Sequence, residues 1–425
     1  GTGLDMVELM HAFCRERRSC ESPFVMAVLW RGDVYLAPCR AEGLYDASLY
    51  LIGPEDLSLV LVILLMVQRL GGLPEGPTAI ILYLSDYTCL ADRHLVGPGV
   101  PIFAYLRRET TWLIPWPSSF TLYSAYEVET SSWHDVHRAK HLDNMGPGPE
   151  WAKRTAKAFW IGTVTGPWEF AADADMLAIP RLKLLRLANS SPELLHAEWS
   201  GTATYGIRWA KGNDTVRGSG GLDARLIANL TGVRRAIYKR LDLWATYKYY
   251  INLDGVVLGG RLNKLLAAGG VVLQHDAGYY EHLSALAQPW VHYVPIRYDL
   301  SDLLEKVAWL QANDDEARRI AERGQELALR RMRLEDDLCY VWRALEGLAW
   351  ATARFPAAPA RVEGRLRELN FTKVSVVNGS MRGTLEAFWG APLENVFTGN
   401  RRMTRKGIEL LRWVWDRLDG MSGAR

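Results

Sequence analysis

The segment YKYYINLDGVVLGGRLNKLLAAGGVVLQHDAGYYEHLSALAQPWVHYVP, residues Tyr247 to Pro295, decides the fold. It holds two short apolar runs, Tyr249–Leu253 and Val271–Leu273, whose aromatic and β-branched residues read as strands. Between them, Arg261 to Ala268 has helical period and stops on Gly269-Gly270. A helix that ends on glycine and feeds a second strand is half of a parallel α/β unit. Parallel sheets leave a crevice at the carboxyl ends of their strands, and ligands bind there. Arg261 and Lys264, three apart, project from one face of that helix. A guanidinium fork beside a lysine suits a diphosphate, because charge-assisted bonds match its oxygens; a solvated helix face gives the same pattern.

Outward from this stretch, further elements can be read. Val25–Trp30 and Val34–Leu36, joined by Arg31-Gly32-Asp33, form a hairpin signal. Leu57–Leu70 reads as a buried helix capped by Asp56; its apolar run is too short to span a bilayer. After a Pro/Gly turn, Ala79–Leu84 is a continuous apolar run and reads as a central parallel strand. Asp86 follows directly, where a side chain either enters the crevice or caps the next turn. Asp143 to Glu150 is the best linker. Trp151 to Gly166 opens a second domain, and its Gly/Thr turn lets backbone N–H groups approach a phosphate. Residues 301–349 have helical period, and 360–425 read as a mixed extension with no functional assignment.

The chain has 425 residues, enough for two or three domains, and a net charge of +2, which argues against a dedicated nucleic-acid surface. His134, His137 and His141 share one helical face but lack a carboxylate or cysteine partner, so a surface helix is expected and no metal. Asp173 and Asp175 make a D-x-D pattern in an insertion and are read as surface residues. The cysteines Cys14, Cys20, Cys39, Cys89 and Cys339 include no C-x-x-C pair. Five sequons, at Asn189, Asn213, Asn229, Asn370 and Asn378, exceed the roughly one expected from average composition, which favours the secretory pathway, Golgi or endoplasmic reticulum. Any membrane attachment would then use an anchor outside this sequence.

The segment resembles the core of family 90 glycosyltransferases, which include the Rumi-type protein O-glucosyltransferases and the fungal capsule-associated xylosyltransferases. The matching pieces are Tyr247-Lys248-Tyr249, Asp254-Gly255, Arg261, Lys264, Gly269, Tyr280-Glu281 and Pro289 to Pro295. The match continues through Asp299 to Leu303, Asn313-Asp314, Ala321-Glu322 and Gly324. The resemblance implies an α/β GT-B fold, two Rossmann-like domains facing each other across a cleft. Segments 1–148 (acceptor side), 149–335 (nucleotide-sugar side) and 336–425 (extension packing back on the core) are expected. It implies an inverting transfer of xylose or glucose from a UDP-sugar to a glycan or protein hydroxyl, without metal or other cofactor. Asp86 maps onto the base of the family's Arg-Asp-Tyr motif, with Ser85 in place of the arginine. On the donor side stand Arg261, Arg181, Gly162, Thr163, Thr165, Lys264, Gly259 and Gly260; the family's Phe-Arg-Gly has become Trp160-Ile161-Gly162. Phe103 and Trp116 fall on the acceptor side. The resemblance also implies a disulfide from Cys339 to Cys14 or Cys20; Cys39 with Cys89 is a further candidate pair, not one the resemblance supplies. The missing arginines leave open an alternative, a non-catalytic sugar- or nucleotide-binding protein on a retired transferase fold.

Overall fold

The computed structural model of the chain describes residues 24–38, 54–70, 76–84, 101–108, 113–118, 122, 149–165, 169–171, 176–202, 208–211, 214–216, 224–236, 241–255, 258, 260–352, 359–396 and 408–416. The chain is α/β and divides into two compact units. Ser124–Arg333 forms one; Gly1–Tyr123 together with Leu334–Arg425 forms the other, so the C-terminal extension is not a body of its own. Two units, each built on one large sheet, are the composition of the GT-B class.

The first unit opens with the expected hairpin, β1 (Phe24–Trp30) and β2 (Asp33–Pro38). Trp30 pairs with Asp33 across Arg31 and Gly32, both at positive φ (53° and 82°). A two-residue turn of that kind matches the twist of its strands, and glycine takes the second position without strain. The helix α1 (Pro54–Leu70) begins at Pro54, so Asp56 lies inside its first turn and does not cap it. Ser58, which interrupts the apolar run, accepts a hydrogen bond from Trp389 Nε1 at 2.9 Å. The apolar run becomes β3 (Thr78–Tyr83), buried throughout. It lies antiparallel to β1 and parallel to β4 (Ile102–Ala104), which is parallel to β5 (Ile114–Pro115). The expected parallel strand thus stands where the sheet changes from antiparallel to parallel pairing.

The second unit carries β6 (Thr155–Val164), α2 (Pro180–Ser190), β7 (Leu195–Thr202) and α3 (Ala224–Thr231). It continues with β8 (Tyr247–Asn252), α4 (Leu262–Ala267), β9 (Val271–Asp276) and β10 (Val294–Arg297), followed by α5 (Leu303–Ala312) and α6 (Asp314–Arg331). The five strands are all parallel, in the spatial order β10-β9-β8-β6-β7. In chain order this is the 2-1-3-4-5 pattern of doubly wound sheets, whose direction of winding reverses between β6 and β8. Buried runs on both faces, such as Phe159 and Trp160 in β6 and Tyr249 and Tyr250 in β8, reflect the covering of a parallel sheet by helices.

Several matched motif residues prove to hold α6 on this sheet. Lys248 is buried and its Nζ contacts Asp314 at 2.6 Å, while Trp151 Nε1 donates to the other oxygen of Asp314 at 3.1 Å. A Cβ on Gly324 would lie 2.6 Å from the His292 carbonyl oxygen, so only glycine lets the helix approach that backbone.

The chain then returns to the first unit as α7 (Leu334–Thr352), α8 (Pro359–Glu368), β11 (Thr372–Val374) and α9 (Met381–Trp389), with residues 408–416 also helical. Strand β11 pairs antiparallel with β2, and Val362 and Leu366 of α8 enter the core beside Phe24, Met26 and Val28. The extension therefore completes the first sheet. Tyr340 of α7 donates its hydroxyl to the Pro115 carbonyl at 2.8 Å. On the same helix Leu338 and Val341 point inward and are buried, and Cys339 between them is an exposed free thiol. The bridge expected from Cys339 to Cys14 or Cys20 is thus not formed in this structure. Cys14, Cys20, Cys39 and Cys89 lie outside the described residues.

Candidate functional site: a guanidinium pair at the strand ends

Helix α2 starts with Pro180 in its first turn, which fixes the backbone for Arg181 beside it. The Arg181 side chain reaches the carboxyl ends of both β6 and β8. Its Nη1 donates to the Thr163 carbonyl at 2.6 Å and to Thr165 Oγ1 at 2.7 Å. Its Nη2 donates to the Leu253 carbonyl at 3.0 Å, and its Nε to the Asp254 carbonyl at 3.0 Å. Four of the five N–H groups of the guanidinium are therefore spent on the two strands that flank the reversal of winding. The Trp160 ring lies 5.7 Å from its Cζ. Gly255 closes the other side: a Cβ there would fall 2.4 Å from Thr165 Oγ1 and 2.8 Å from Arg181 Nη2.

Arg261 stands immediately before α4 and directs its Nη1 to the Ile161 carbonyl at 3.1 Å, with its Cζ 5.2 Å above the Trp244 ring. Burial, with the charge of Arg261 added to it, pulls the Arg181 guanidinium down to about 9, and Asp254 only partly offsets this. Two cations held so close, one of them desolvated, favour an anion beside them. The ends of three strands are tied by a second chain. The Asp254 carboxylate contacts His275 Nδ1 at 3.1 Å, and His275 Nε2 contacts the Tyr298 carbonyl at 2.9 Å. Asp254 and His275 are 4% and 2% exposed, so water does not share these bonds.

Of the donor-side residues read from the sequence, Thr163, Thr165, Arg181 and Arg261 come together here, and Gly162 lies in β6 against the Trp160 ring. Arg261 and Lys264 were expected on one helix face; Arg261 instead occupies the position before the helix, and Lys264 is half-buried on α4. Gly260 is described as a turn residue; Gly259 lies outside the described residues. Phe103 and Trp116 are fully buried, edge to face at 5.5 Å. They are core residues of the unit expected to take the acceptor. Asp86, His134, His137, His141, Asp173, Asp175 and Asn213 lie outside the described residues. Asn189 and Asn229 are exposed on α2 and α3, and Asn370 and Asn378 occupy exposed turns at positive φ (56° and 48°), a conformation asparagine tolerates. Among the described residues no group of three His, Cys, Asp or Glu could hold a metal, and no helix is long and apolar enough to cross a membrane. The clamp formed by Arg181 and the Asp254–His275 pair escaped the sequence reading. The signal for them was the position of Asp254 and His275 at the ends of adjacent strands.

The sequence profile described as glycosyl transferase family 90 matches residues 62–365, well over half of the chain. Protein O-glucosyltransferase 2 of Danio rerio is 34% identical over 270 residues, which cover 63% of this chain and 46% of that protein. Protein O-glucosyltransferase 3 of Homo sapiens is 33% identical over 202 residues, 48% of this chain and 33% of that protein. Protein O-glucosyltransferase 1 of Rattus norvegicus is 26% identical over 345 residues, 80% of this chain and 74% of that protein. The chain thus spans under half the length of the first two relatives. Among solved structures, a sucrose-phosphate synthase from Thermosynechococcus elongatus aligns with a TM-score of 0.32 at 12% identity, covering 62% of this chain and 61% of that one.

Proposed function

Because the chain belongs to glycosyl transferase family 90, we propose that it moves a sugar from a UDP-sugar to a hydroxyl of a protein or glycan acceptor, inverting the anomeric configuration. The observation that carries this is the pair Arg181 and Arg261 at the reversal of winding in the second unit. An anion-binding cluster at that point of a parallel sheet is where a nucleotide diphosphate belongs. Arg181 spends its donors on Thr163, Thr165, Leu253 and Asp254, so it shapes the pocket. Arg261, which stands at the start of α4 with Nη1 on the Ile161 carbonyl and its Cζ over the Trp244 ring, is the residue assigned to the diphosphate. There it stabilises the charge that develops as the diphosphate leaves.

Asp86, three residues past the end of β3 in the sequence, is the proposed general base: it takes the acceptor proton as the hydroxyl attacks the anomeric carbon from the opposite face. One displacement inverts configuration, so a single carboxylate suffices. The names of the relatives favour glucose over xylose as the sugar. The sequons suit work in the lumen of the secretory pathway. A thermal-shift screen of nucleotide-sugars tests the reading, because a ligand at a hundred times its dissociation constant stabilises by about 2.7 kcal/mol. UDP-glucose should raise the melting temperature, and ADP-glucose should not. The missing arginines at Ser85 and Ile161 support the second reading, a binding protein without turnover. Release of UDP from UDP-glucose by the purified chain decides against that reading, and tight binding with no release decides for it.

A further inference from the structure

We propose that His275 keeps Asp254 from opposing the donor diphosphate: the two side chains together hold two protons, and the pair is electrically neutral beneath the Arg181–Arg261 cluster. This rests on the functional reading above for the identity of the anion, but its proton count stands on geometry alone. His275 Nε2 faces the Tyr298 carbonyl at 2.9 Å, and a carbonyl can only accept. Nitrogen Nε2 therefore carries a proton. His275 Nδ1 faces Asp254 Oδ2 at 3.1 Å, and this second contact also needs a proton, on the ring or on the carboxyl. A neutral imidazole beside an ionised carboxylate would leave two lone pairs facing each other in a site that water does not reach, at 1% and 3% side-chain exposure. Either remaining arrangement, imidazolium with carboxylate or imidazole with carboxylic acid, has no net charge.

The consequence reaches the arginines. The Arg181 guanidinium Nε donates to the Asp254 main-chain carbonyl at 3.0 Å. The carboxylate is turned to His275. Among the described residues, the His275 ring meets the Asp254 carboxylate, the Tyr298 carbonyl and the Tyr298 ring at 5.3 Å. With Asp254 neutralised by its partner, the charges of Arg181 and Arg261 stay available to an incoming anion. A bare carboxylate there would cancel part of that field. His275 is thus a positioning and charge-compensating residue, and it touches neither the donor nor the reacting atoms.

The test compares UDP with uridine on the full chain by calorimetry, for the unaltered protein, His275→Gln, and His275→Gln combined with Asp254→Asn. In His275→Gln the carboxylate is left without its proton partner, so UDP affinity should fall about tenfold or more while uridine affinity changes by less than about threefold. The double variant is neutral again and should recover UDP affinity to within about threefold of the unaltered protein. A merely structural role gives the opposite pattern: UDP and uridine weaken together, or the double variant binds worse than the single one. Either result overturns the proposal. An independent arm uses ¹⁵N-histidine NMR on the unaltered protein at neutral pH, with the His275 signals assigned by their loss in His275→Gln. Two protonated ring nitrogens, or a proton on Nε2 with Nδ1 hydrogen-bonded to a carboxylic acid, are expected. A proton on Nδ1 alone contradicts the assignment. If the unaltered chain does not bind UDP, the functional reading fails, and the NMR arm still decides the proton count.

Discussion

The guanidinium of Arg181, on the first turn of α2, donates to the main-chain carbonyl of Thr163 at the end of β6, 2.6 Å away. The same group takes the Leu253 and Asp254 carbonyls at the end of β8. One side chain thereby fixes the spacing of the two strands between which the sheet reverses its winding. The Leu253 and Asp254 carbonyls lie past the end of β8, and a buried carbonyl left unpaired costs about 1–3 kcal/mol. The arginine supplies those partners and, by doing so, builds the floor of the candidate donor site.

That clamp leaves no room at Gly255. A Cβ would fall 2.4 Å from Thr165 Oγ1 and 2.8 Å from Arg181 Nη2. Gly255→Ala is expected to cost about 1–3 kcal/mol through overpacking and to weaken UDP binding with it. Thermal melting and UDP titration of the variant check this. A melting temperature and an affinity equal to those of the unaltered chain would mean that the clamp yields freely.

A pH dependence is expected from Asp302. Burial alone would raise its carboxyl, but the hydrogen bond from Lys306 and the Arg297 N–H outweigh burial and hold it below the ordinary carboxylate range. Lys306 Nζ lies 2.6 Å from one carboxylate oxygen, and the Arg297 N–H donates to the other at 3.0 Å. A carboxyl depressed in the folded state adds stability above its unfolded value, and that stability is lost as pH falls through the folded one. Asp302→Asn should therefore destabilise by about 1.5–3 kcal/mol at pH 7 and by much less in acid. Melting curves of both proteins from pH 7 downward should converge; parallel curves would remove the charge from the explanation.

Much of the second sheet was legible in the sequence, because buried parallel strands such as Tyr249–Leu253 carry unbroken apolar runs and α4 ends on Gly269 at φ 71°. The hairpin at Arg31-Gly32 was legible for a similar local reason. What escaped were features set by distant pairing. Strand β11 completes the first sheet from residues 372–374, more than three hundred positions from its partner β2, and no local pattern announces that. Phe103 and Trp116 are assigned to the acceptor side by motif, and their full burial depends on a core that the motif does not encode. Arg181 was found as a donor-side residue, yet its role as a clamp depends on four acceptors spread from Thr163 to Asp254.

Asp86 is the residue on which turnover depends in this mechanism. A positioned base contributes typically 10²–10⁴-fold, so Asp86→Asn should cut sugar transfer, read as UDP release from UDP-glucose, by about that factor. UDP affinity and melting temperature should hold, since the amide is isosteric and the diphosphate contacts are assigned to Arg261. If Asp86 caps a turn instead, stability falls and turnover survives.

The measurement that bears most directly on the donor site is calorimetry of UDP with the unaltered chain and with Arg261→Ala. The guanidinium donates to the Ile161 carbonyl and stands over the Trp244 ring beside Arg181. Loss of its bond to a charged diphosphate should weaken UDP by about 1.5–3 kcal/mol, roughly ten- to more than a hundredfold, with melting temperature nearly unchanged. Equal UDP affinity for the two proteins would place the diphosphate elsewhere and contradict the assignment of this cluster as the donor site.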